Sequence, residues 1–230
     1  MLFRSLTFEE AAALNTAFLQ DVADNLQLAG RAASIEAFMA YGPPGAEKFF
    51  RDTLPAVGLI EAWLPNFGDC LLHAIREILA RGHGAAVVLN SDSPTLPTSL
   101  LVETAQMLAR PGDRAVLGPS SDGGYYLLGL KHAHKRMFED IAWSTERVAE
   151  QTLTCAREIN LEVHMLPVWY DVDDVESLRT LHAELHAPKS SLRLSPSHAP
   201  RTAALMDRLC RESDFARRIG AFVQFEELRA

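Results

Sequence analysis

The chain has 230 residues and carries 30 Asp and Glu against 22 Lys and Arg, a formal charge of −8. Because 48% of the residues are hydrophobic and 23% are charged, the composition excludes a disordered chain and allows a folded core. The acidic balance argues against a surface that neutralises nucleic-acid phosphates, so no nucleic acid is expected as a partner.

Helices and strands alternate along the first half of the chain. A capping-box spacing at Thr7 and Glu10, followed by apolar residues every three or four positions, predicts a helix from about residue 8 to Leu28. An unbroken apolar run, Ala85–Leu89, predicts a strand covered on both faces, as in parallel sheets. The other elements predicted here are strands over Ser34–Tyr41 and Gly58–Leu64, a helix capped by Asn66 and a helix over Thr98–Ala109.

The same alternation continues to about residue 187. Strands are predicted over Ala115–Leu117, Tyr125–Leu130 and Leu161–Val168, with a helix containing Val148 before the last of them and another starting near Asp173. This order predicts an α/β fold with a mainly parallel sheet.

The last part of the chain differs in composition. Residues 187–200 contain three prolines and four serines, which indicates a linker or a wrapping arm. We therefore predict a core domain over residues 1–187 and an arm with C-terminal helices over residues 188–230. Phe222 and Phe225 are costly to expose, so we expect this tail to dock on its own core or to form a homodimer.

Cysteine content and apolar runs predict the cellular environment. Cys70, Cys155 and Cys210 form no CxxC pair, which fits a reducing compartment. No apolar run approaches the roughly 20 residues that span a bilayer, and residues 1–10 lack the pattern of a signal peptide. The expectation is a cytoplasmic protein with no membrane insertion.

A first candidate site follows the strand Ala85–Leu89. In open α/β sheets ligands bind at the carboxyl ends of strands, and this rule selects Asn90, Ser91 and Asp92. A carboxylate there can hold a hard divalent cation together with substrate phosphates. The alternative is that Asp92 only shapes a turn before Pro94.

A second acidic group follows the last predicted strand. Asp171 and Asp173 are two residues apart, so in an extended segment their side chains point the same way. Asp173 or Asp174 could instead cap the next helix. Combined with Asp92, this group supplies carboxylates from two strand ends, the arrangement expected of a one-metal phosphate site.

The segment from Gly118 to Tyr126 contains a third candidate. Asp122 is followed by Gly123 and Gly124, which allow the backbone to approach a ligand closely or to adopt a positive φ in a tight turn. Both explanations remain open, and the second predicts a hairpin-like connection.

Two further features have structural alternatives. His132 and His134 lie beside Lys131 and Lys135, and with no third ligand nearby in sequence they favour a solvated loop over a zinc site. Trp143 can contact a nucleobase or an acceptor, or it can anchor a capped helix.

Four ordered motifs carry a resemblance to a known family. NSDSPTLP, GPSSDGGYYLLGL, WST and DVDDVESL occur in this order within Leu6–Leu185. The succession resembles DUF2064, or radical-SAM/selenodomain-associated transferase 1, a group of nucleotide-diphospho-sugar transferase-like proteins. It is similar in fold to GT-A glycosyltransferases and to the molybdenum-cofactor and 2-phospholactate nucleotidyltransferases. The resemblance implies a Rossmann-like GT-A sheet with helices on both faces.

The resemblance also implies an activity and a set of roles. The expected function is metal-dependent transfer, glycosyl or nucleotidyl, from a nucleotide sugar or a nucleoside triphosphate, with Mg²⁺ or Mn²⁺ as cofactor. The roles are divalent-metal ligation by Asp92 with Asp171 or Asp173, substrate binding by Ser91, Gly123, Gly124 and Trp143, and general-base catalysis by Asp122.

The chain departs from the family pattern in two places. Members usually begin with a strand and a basic, glycine-containing loop, and this sequence aligns from Met1 just after that loop. The helix after Asn66 usually carries glycine and arginine where this chain has Leu71 and His73. These departures motivate the alternative function, a degenerate GT-A-like binding or scaffold module.

Overall fold

The computed structural model describes residues 6–187 and 194–220 as alternating helices and strands. No helix in these two ranges is both long enough and apolar enough to cross a membrane. The tail residues Phe222 and Phe225 lie outside the described residues. The helices are α1 (Phe8–Gly30), α2 (Glu47–Thr53), α3 (Phe67–Ala80), α4 (Thr98–Ala109), α5 (Val148–Glu158), α6 (Val175–His186), α7 (Pro200–Glu212) and α8 (Phe215–Ile219), with a 3₁₀ turn at Lys135–Phe138. The strands are β1 (Phe38–Tyr41), β2 (Gly58–Glu61), β3 (Ala86–Leu89), β4 (Arg114–Pro119), β5 (Tyr125–Leu130) and β6 (Glu162–Met165).

The described strands form two sheets. β1 and β2 pair in parallel, and the larger sheet has the order β3-β5-β4-β6. β5 runs antiparallel to both of its neighbours, whereas β4 and β6 are parallel. Strands β3, β4 and β6 therefore point the same way, and their carboxyl ends lie at one edge of the sheet. This arrangement confirms the α/β prediction, with parallel strands in both sheets, although two of the three strand pairs of the larger sheet are antiparallel.

Strand β3 packs on both faces but is only partly buried. Ala86 is buried, but Val87, Val88 and Leu89 are only partly buried. In the order of described strands β3 stands at the end of its sheet, with β5 as its partner on one side. Alternate side chains of β3 nevertheless pack on two different apolar clusters, Ala86 and Val88 on one and Val87 and Leu89 on the other, so both faces of the strand are covered in part.

The sequence patterns predict α1 but not α2. The capping box of α1 is present, because the Thr7 backbone N–H donates to the Glu10 carboxylate (2.8 Å) and the Glu10 N–H donates to the Thr7 hydroxyl (3.2 Å). Helix α2 contains no buried residue, so it has no apolar stripe to signal it. Its exposed ion pairs lie one turn apart and join Lys48 to Asp52 and Glu47 to Arg51.

Helices α7 and α8 pack on the chain's own core. Asp21 of α1 is fully buried and accepts hydrogen bonds from the Thr202 N–H (2.8 Å) and hydroxyl (2.7 Å), which satisfies the first turn of α7. One apolar cluster joins α1, α6, α7 and α8; its buried members are Leu6, Leu14, Ala17, Phe18, Val172, Leu178, Leu181, Leu205, Met206, Phe215 and Ile219. The domain boundary after residue 187 and the homodimer stay predictions.

Candidate active site

The loops after β3 and β6 meet although their strands stand three places apart. At a strand spacing of about 4.8 Å that separation is about 14 Å. The chain after β6 returns across the sheet edge, where the Ser93 hydroxyl donates to the Tyr170 carbonyl (2.8 Å). The Val172 N–H donates to the Asp92 carbonyl (2.9 Å). This hydrogen bond holds the Asp92 backbone next to the segment that contains Asp171 and Asp173.

Three carboxylates converge at this edge, and we call Asp122, Asp171 and Asp173 the carboxylate triad. One carboxylate oxygen from each lies within 4.8 Å of the other two. Asp122 follows β4, and the two other residues follow β6, which pairs with β4 in parallel. The Ser120 hydroxyl donates to Asp171 Oδ1 (2.8 Å) and orients that carboxylate.

Asp92 lies outside the triad, but the negative charges of the triad affect its pKa. Burial raises the pKa of Asp92 to about 6, and the charges of Asp171 and Asp173 add to this effect. Its Oδ1 is buried with no hydrogen-bond partner among the described residues, and the same holds for Asn90 Oδ1. Burial also raises the pKa of Asp171 and of Asp173. Asp171 is partly buried and Asp122 and Asp173 are exposed, and cation binding by these carboxylates stays a prediction.

The capping role that the sequence left open belongs to Asp174. The Ser177 N–H donates to Asp174 Oδ1 (2.8 Å) at the start of α6, and the hydrogen bonds from Ser177 lower the pKa of Asp174. Asp173 is therefore not the capping residue, and its carboxylate lies with the triad instead.

Comparisons with known proteins agree with this architecture. Residues 25–145, more than half of the chain, match the family described as "Uncharacterized protein conserved in bacteria (DUF2064)". The chain belongs to the DUF2064 family. Three of its four sequence motifs lie within the match, and DVDDVESL lies beyond it.

A solved structure resembles this DUF2064 protein over most of its length. It is the 1.90 Å crystal structure of a "putative nucleotide-diphospho-sugar transferase" from Desulfovibrio desulfuricans G20. The identity is 26%, the TM-score is 0.78, and the alignment covers 95% of this chain and 90% of the other. No curated protein matches the chain.

The turn between β4 and β5 carries Asp122 in this DUF2064 protein. The Gly124 N–H donates to Asp122 Oδ1 (2.8 Å), which holds the carboxylate toward its own turn. Gly123 has a φ of +91°, and a Cβ there would lie 2.1 Å from the Glu146 carbonyl oxygen. Gly123 therefore allows a close approach of the Glu146 backbone, not of a ligand. For this glycine the explanation by a tight, hairpin-like turn holds. Ligand binding by Gly123 and Gly124 stays a prediction.

Replacing Gly123 with alanine is expected to lower the free energy of unfolding by more than about 2 kcal/mol, because a side chain meets both an unfavourable φ and backbone atoms. Gly84→Ala is the matched control, since a Cβ there meets no atom within 4 Å. Urea unfolding followed by circular dichroism measures both variants. Equal stability of the two would contradict the close packing of this turn.

Trp143 lies in an aromatic cluster beside the start of β5. Its ring centroid is 5.2 Å from that of Phe67 and 6.4 Å from that of Tyr125, both edge to face. A Cβ on Gly68 would lie 3.0 Å from Trp143 Nε1, so the indole covers the first turn of α3. Ser91 is partly exposed in the loop after β3. The substrate-binding roles of Trp143 and Ser91 stay predictions.

The sequence did not reveal that Asp122 joins Asp171 and Asp173, or that Ser120 orients Asp171. A signal exists in retrospect. β4 and β6 pair in parallel, and a bridge between Ser120 and Trp169 extends this pairing toward the carboxyl ends. Knowing the strand order would have placed residues 120–122 opposite 169–173.

Proposed function

We propose that this protein is a divalent-cation-dependent transferase whose donor is a nucleotide-diphospho-sugar or a nucleoside triphosphate. The observation that carries the proposal is the carboxylate triad at the carboxyl edge of the sheet, with Asp92 beside it. The similarity to a "putative nucleotide-diphospho-sugar transferase" supports the donor class.

The residues present fit Mg²⁺ or Mn²⁺. Asp171 and Asp173 offer carboxylate oxygens, the donors that hard cations prefer. The buried, unpartnered Oδ1 of Asp92 provides an acceptor that no described donor satisfies. Asp171 and Asp173 would hold the cation from the carboxyl end of β6, and Asp92 would add a carboxylate from the carboxyl end of β3. A bound cation would neutralise the diphosphate and the charge that develops on the leaving group.

The chain's own groups give each carboxylate a distinct position. Ser120 holds Asp171, and Asp174 takes over the capping of α6 so that Asp173 remains with the triad. We assign Asp122 to the acceptor side, where its carboxylate would accept the proton of the attacking hydroxyl. These positions would align a bound donor with its acceptor, and alignment supplies much of the rate in phosphate-transfer chemistry.

Replacing Asp171 with asparagine is expected to weaken Mn²⁺ binding at least about tenfold, because one anionic ligand is lost. Isothermal titration calorimetry of the full chain measures Mn²⁺ binding, and then nucleotide sugars and nucleoside triphosphates with and without Mn²⁺. Asp52→Asn is the control, since this carboxylate is exposed on α2 and paired with Lys48.

The outcomes separate the roles of the acids. Asp122→Asn is expected to retain Mn²⁺ affinity and to lose turnover, as a base would; loss of Mn²⁺ affinity would make Asp122 a ligand instead. Absence of both cation and nucleotide binding in the wild-type protein would overturn the proposal and favour the degenerate scaffold module.

A further inference from the structure

A group of three metal-ligating side chains lies at the other end of β4 and β5. Ala115 pairs with Leu130 in the antiparallel ladder. Two residues further out, the same register places Asp113 opposite His132. His134 comes two residues later, and its N–H donates to the His132 carbonyl (2.8 Å) in a tight turn that leaves the two imidazole centroids 5.9 Å apart. Strand register therefore supplies the third ligand that the sequence alone did not show.

The three side chains are in contact. His132 Nδ1 lies 2.9 Å from Asp113 Oδ1, and His134 Nε2 lies 2.8 Å from Asp113 Oδ2. One ligand atom from each residue lies within 4.8 Å of the other two. Zinc bonds to nitrogen and oxygen are about 2.0–2.2 Å, so tetrahedral ligands are about 3.4 Å apart. A bound ion would replace these two hydrogen bonds, so each nitrogen would move away from Asp113 by about 0.5 Å to reach that spacing.

Neighbouring basic groups are turned to other acceptors. Lys131 Nζ donates to the Arg110 carbonyl (2.6 Å), and Lys135 pairs with Glu139 (2.5 Å). The site is open to solvent, since the His132 side chain is 68% exposed. An ion can enter directly, and water can complete its coordination.

We propose that Asp113, His132 and His134 form a binding site for a borderline divalent transition metal of the Zn²⁺ class, with at least one position open to water or an external ligand. Two imidazoles and one carboxylate are ligands typical of Zn²⁺ and non-haem Fe²⁺ sites, whereas Mg²⁺ prefers oxygen alone. The ion joins the start of β4 to the segment that follows β5.

This site is independent of the carboxylate triad. The six residues of β4 separate the two ends, a distance of about 20 Å at 3.3 Å per residue. The ligand chemistry also differs, since the triad offers no imidazole. Success or failure of the proposed transferase function therefore leaves this inference untouched.

The test is calorimetric titration of the full, EDTA-treated protein with Zn²⁺ in excess Mg²⁺, which occupies oxygen-only sites. We expect one equivalent of Zn²⁺ to bind and the His132→Gln/His134→Gln double variant to lose it. Asp113→Asn is expected to weaken binding at least about tenfold. Titration with Co²⁺ adds a spectroscopic signature, because its visible bands report nitrogen and oxygen ligation.

Two controls decide where the ion binds. His83→Gln removes another histidine that faces a carboxylate, Glu36 at 3.4 Å, and is expected to leave Zn²⁺ binding unchanged. His182→Gln/His186→Gln removes the imidazoles near Cys210 between α6 and α7 and is expected to do the same. Retention of the equivalent in His132→Gln/His134→Gln, or its absence from the wild-type protein, would overturn the proposal.

Discussion

Replacing Asp92 with asparagine is expected to stabilise the metal-free protein at pH 8 by up to about 3 kcal/mol. The pKa of Asp92 rises from 3.8 to about 6 on folding, so the ionised carboxylate lowers the free energy of unfolding by about this amount. Burial is the main cause, and the charges of Asp171 and Asp173 add to it. Asparagine keeps the shape of the side chain and removes the charge.

The contribution of Asp92 to stability depends on pH. Between about pH 4 and pH 6 the folded state holds a proton on Asp92 that the unfolded state has released, so this contribution to stability falls as pH rises through that window. The difference in free energy of unfolding between Asp92→Asn and wild type should therefore grow between pH 4 and pH 6 and stay constant above pH 6.

Urea unfolding in EDTA at pH 4.5, 6 and 8 measures this difference. Asp52→Asn, on the exposed α2, should not become increasingly more stable than wild type over this pH range. Adding Mn²⁺ should stabilise the wild-type protein at pH 8 and should have a smaller effect on Asp92→Asn, because a ligand that binds only the folded state shifts the equilibrium. A variant that is no more stable than wild type at pH 8 would contradict the buried charge at Asp92.

Periodicity and strand-end position located the elements that carry the site. The run Ala85–Leu89 and the acids after it required only the rule that carboxyl ends of like-directed strands gather ligands. The rule works because β3, β4 and β6 do point the same way. Fold class and the general location of Asp92, Asp171 and Asp173 followed from local sequence for this reason.

Features that depend on strand order and register did not follow. Contact between Asp113 and His132 requires the pairing of Ala115 with Leu130, which no local pattern reveals. Val87 is only partly buried although it lies in an unbroken apolar run, because burial depends on how far other elements cover the sheet face, which the run itself does not show. Helix α2 was not predicted, because it buries no residue and so lacks the apolar periodicity of an amphipathic helix.

Replacing Phe215 with alanine is expected to lower the free energy of unfolding by about 3–5 kcal/mol, the usual cost of deleting a buried aromatic side chain. Phe215 is fully buried in the cluster that joins α8 to α1 and α6. The Arg218 Nη1 group also donates to Glu10 Oε2 (2.9 Å) and links α8 to the first turn of α1. Damage at Phe215 should therefore reach the whole domain.

Urea unfolding followed by both circular dichroism and tryptophan fluorescence measures the effect. Phe49→Ala is the control, since Phe49 is 48% exposed on α2 and its loss should cost about 1 kcal/mol or less. Coincident transitions from the two probes would make residues 194–220 part of one cooperative unit with the α/β core. If Phe215→Ala cost no more than Phe49→Ala, or if the probes separated, the C-terminal helices would unfold independently of the α/β core, against the docking that the sequence predicts.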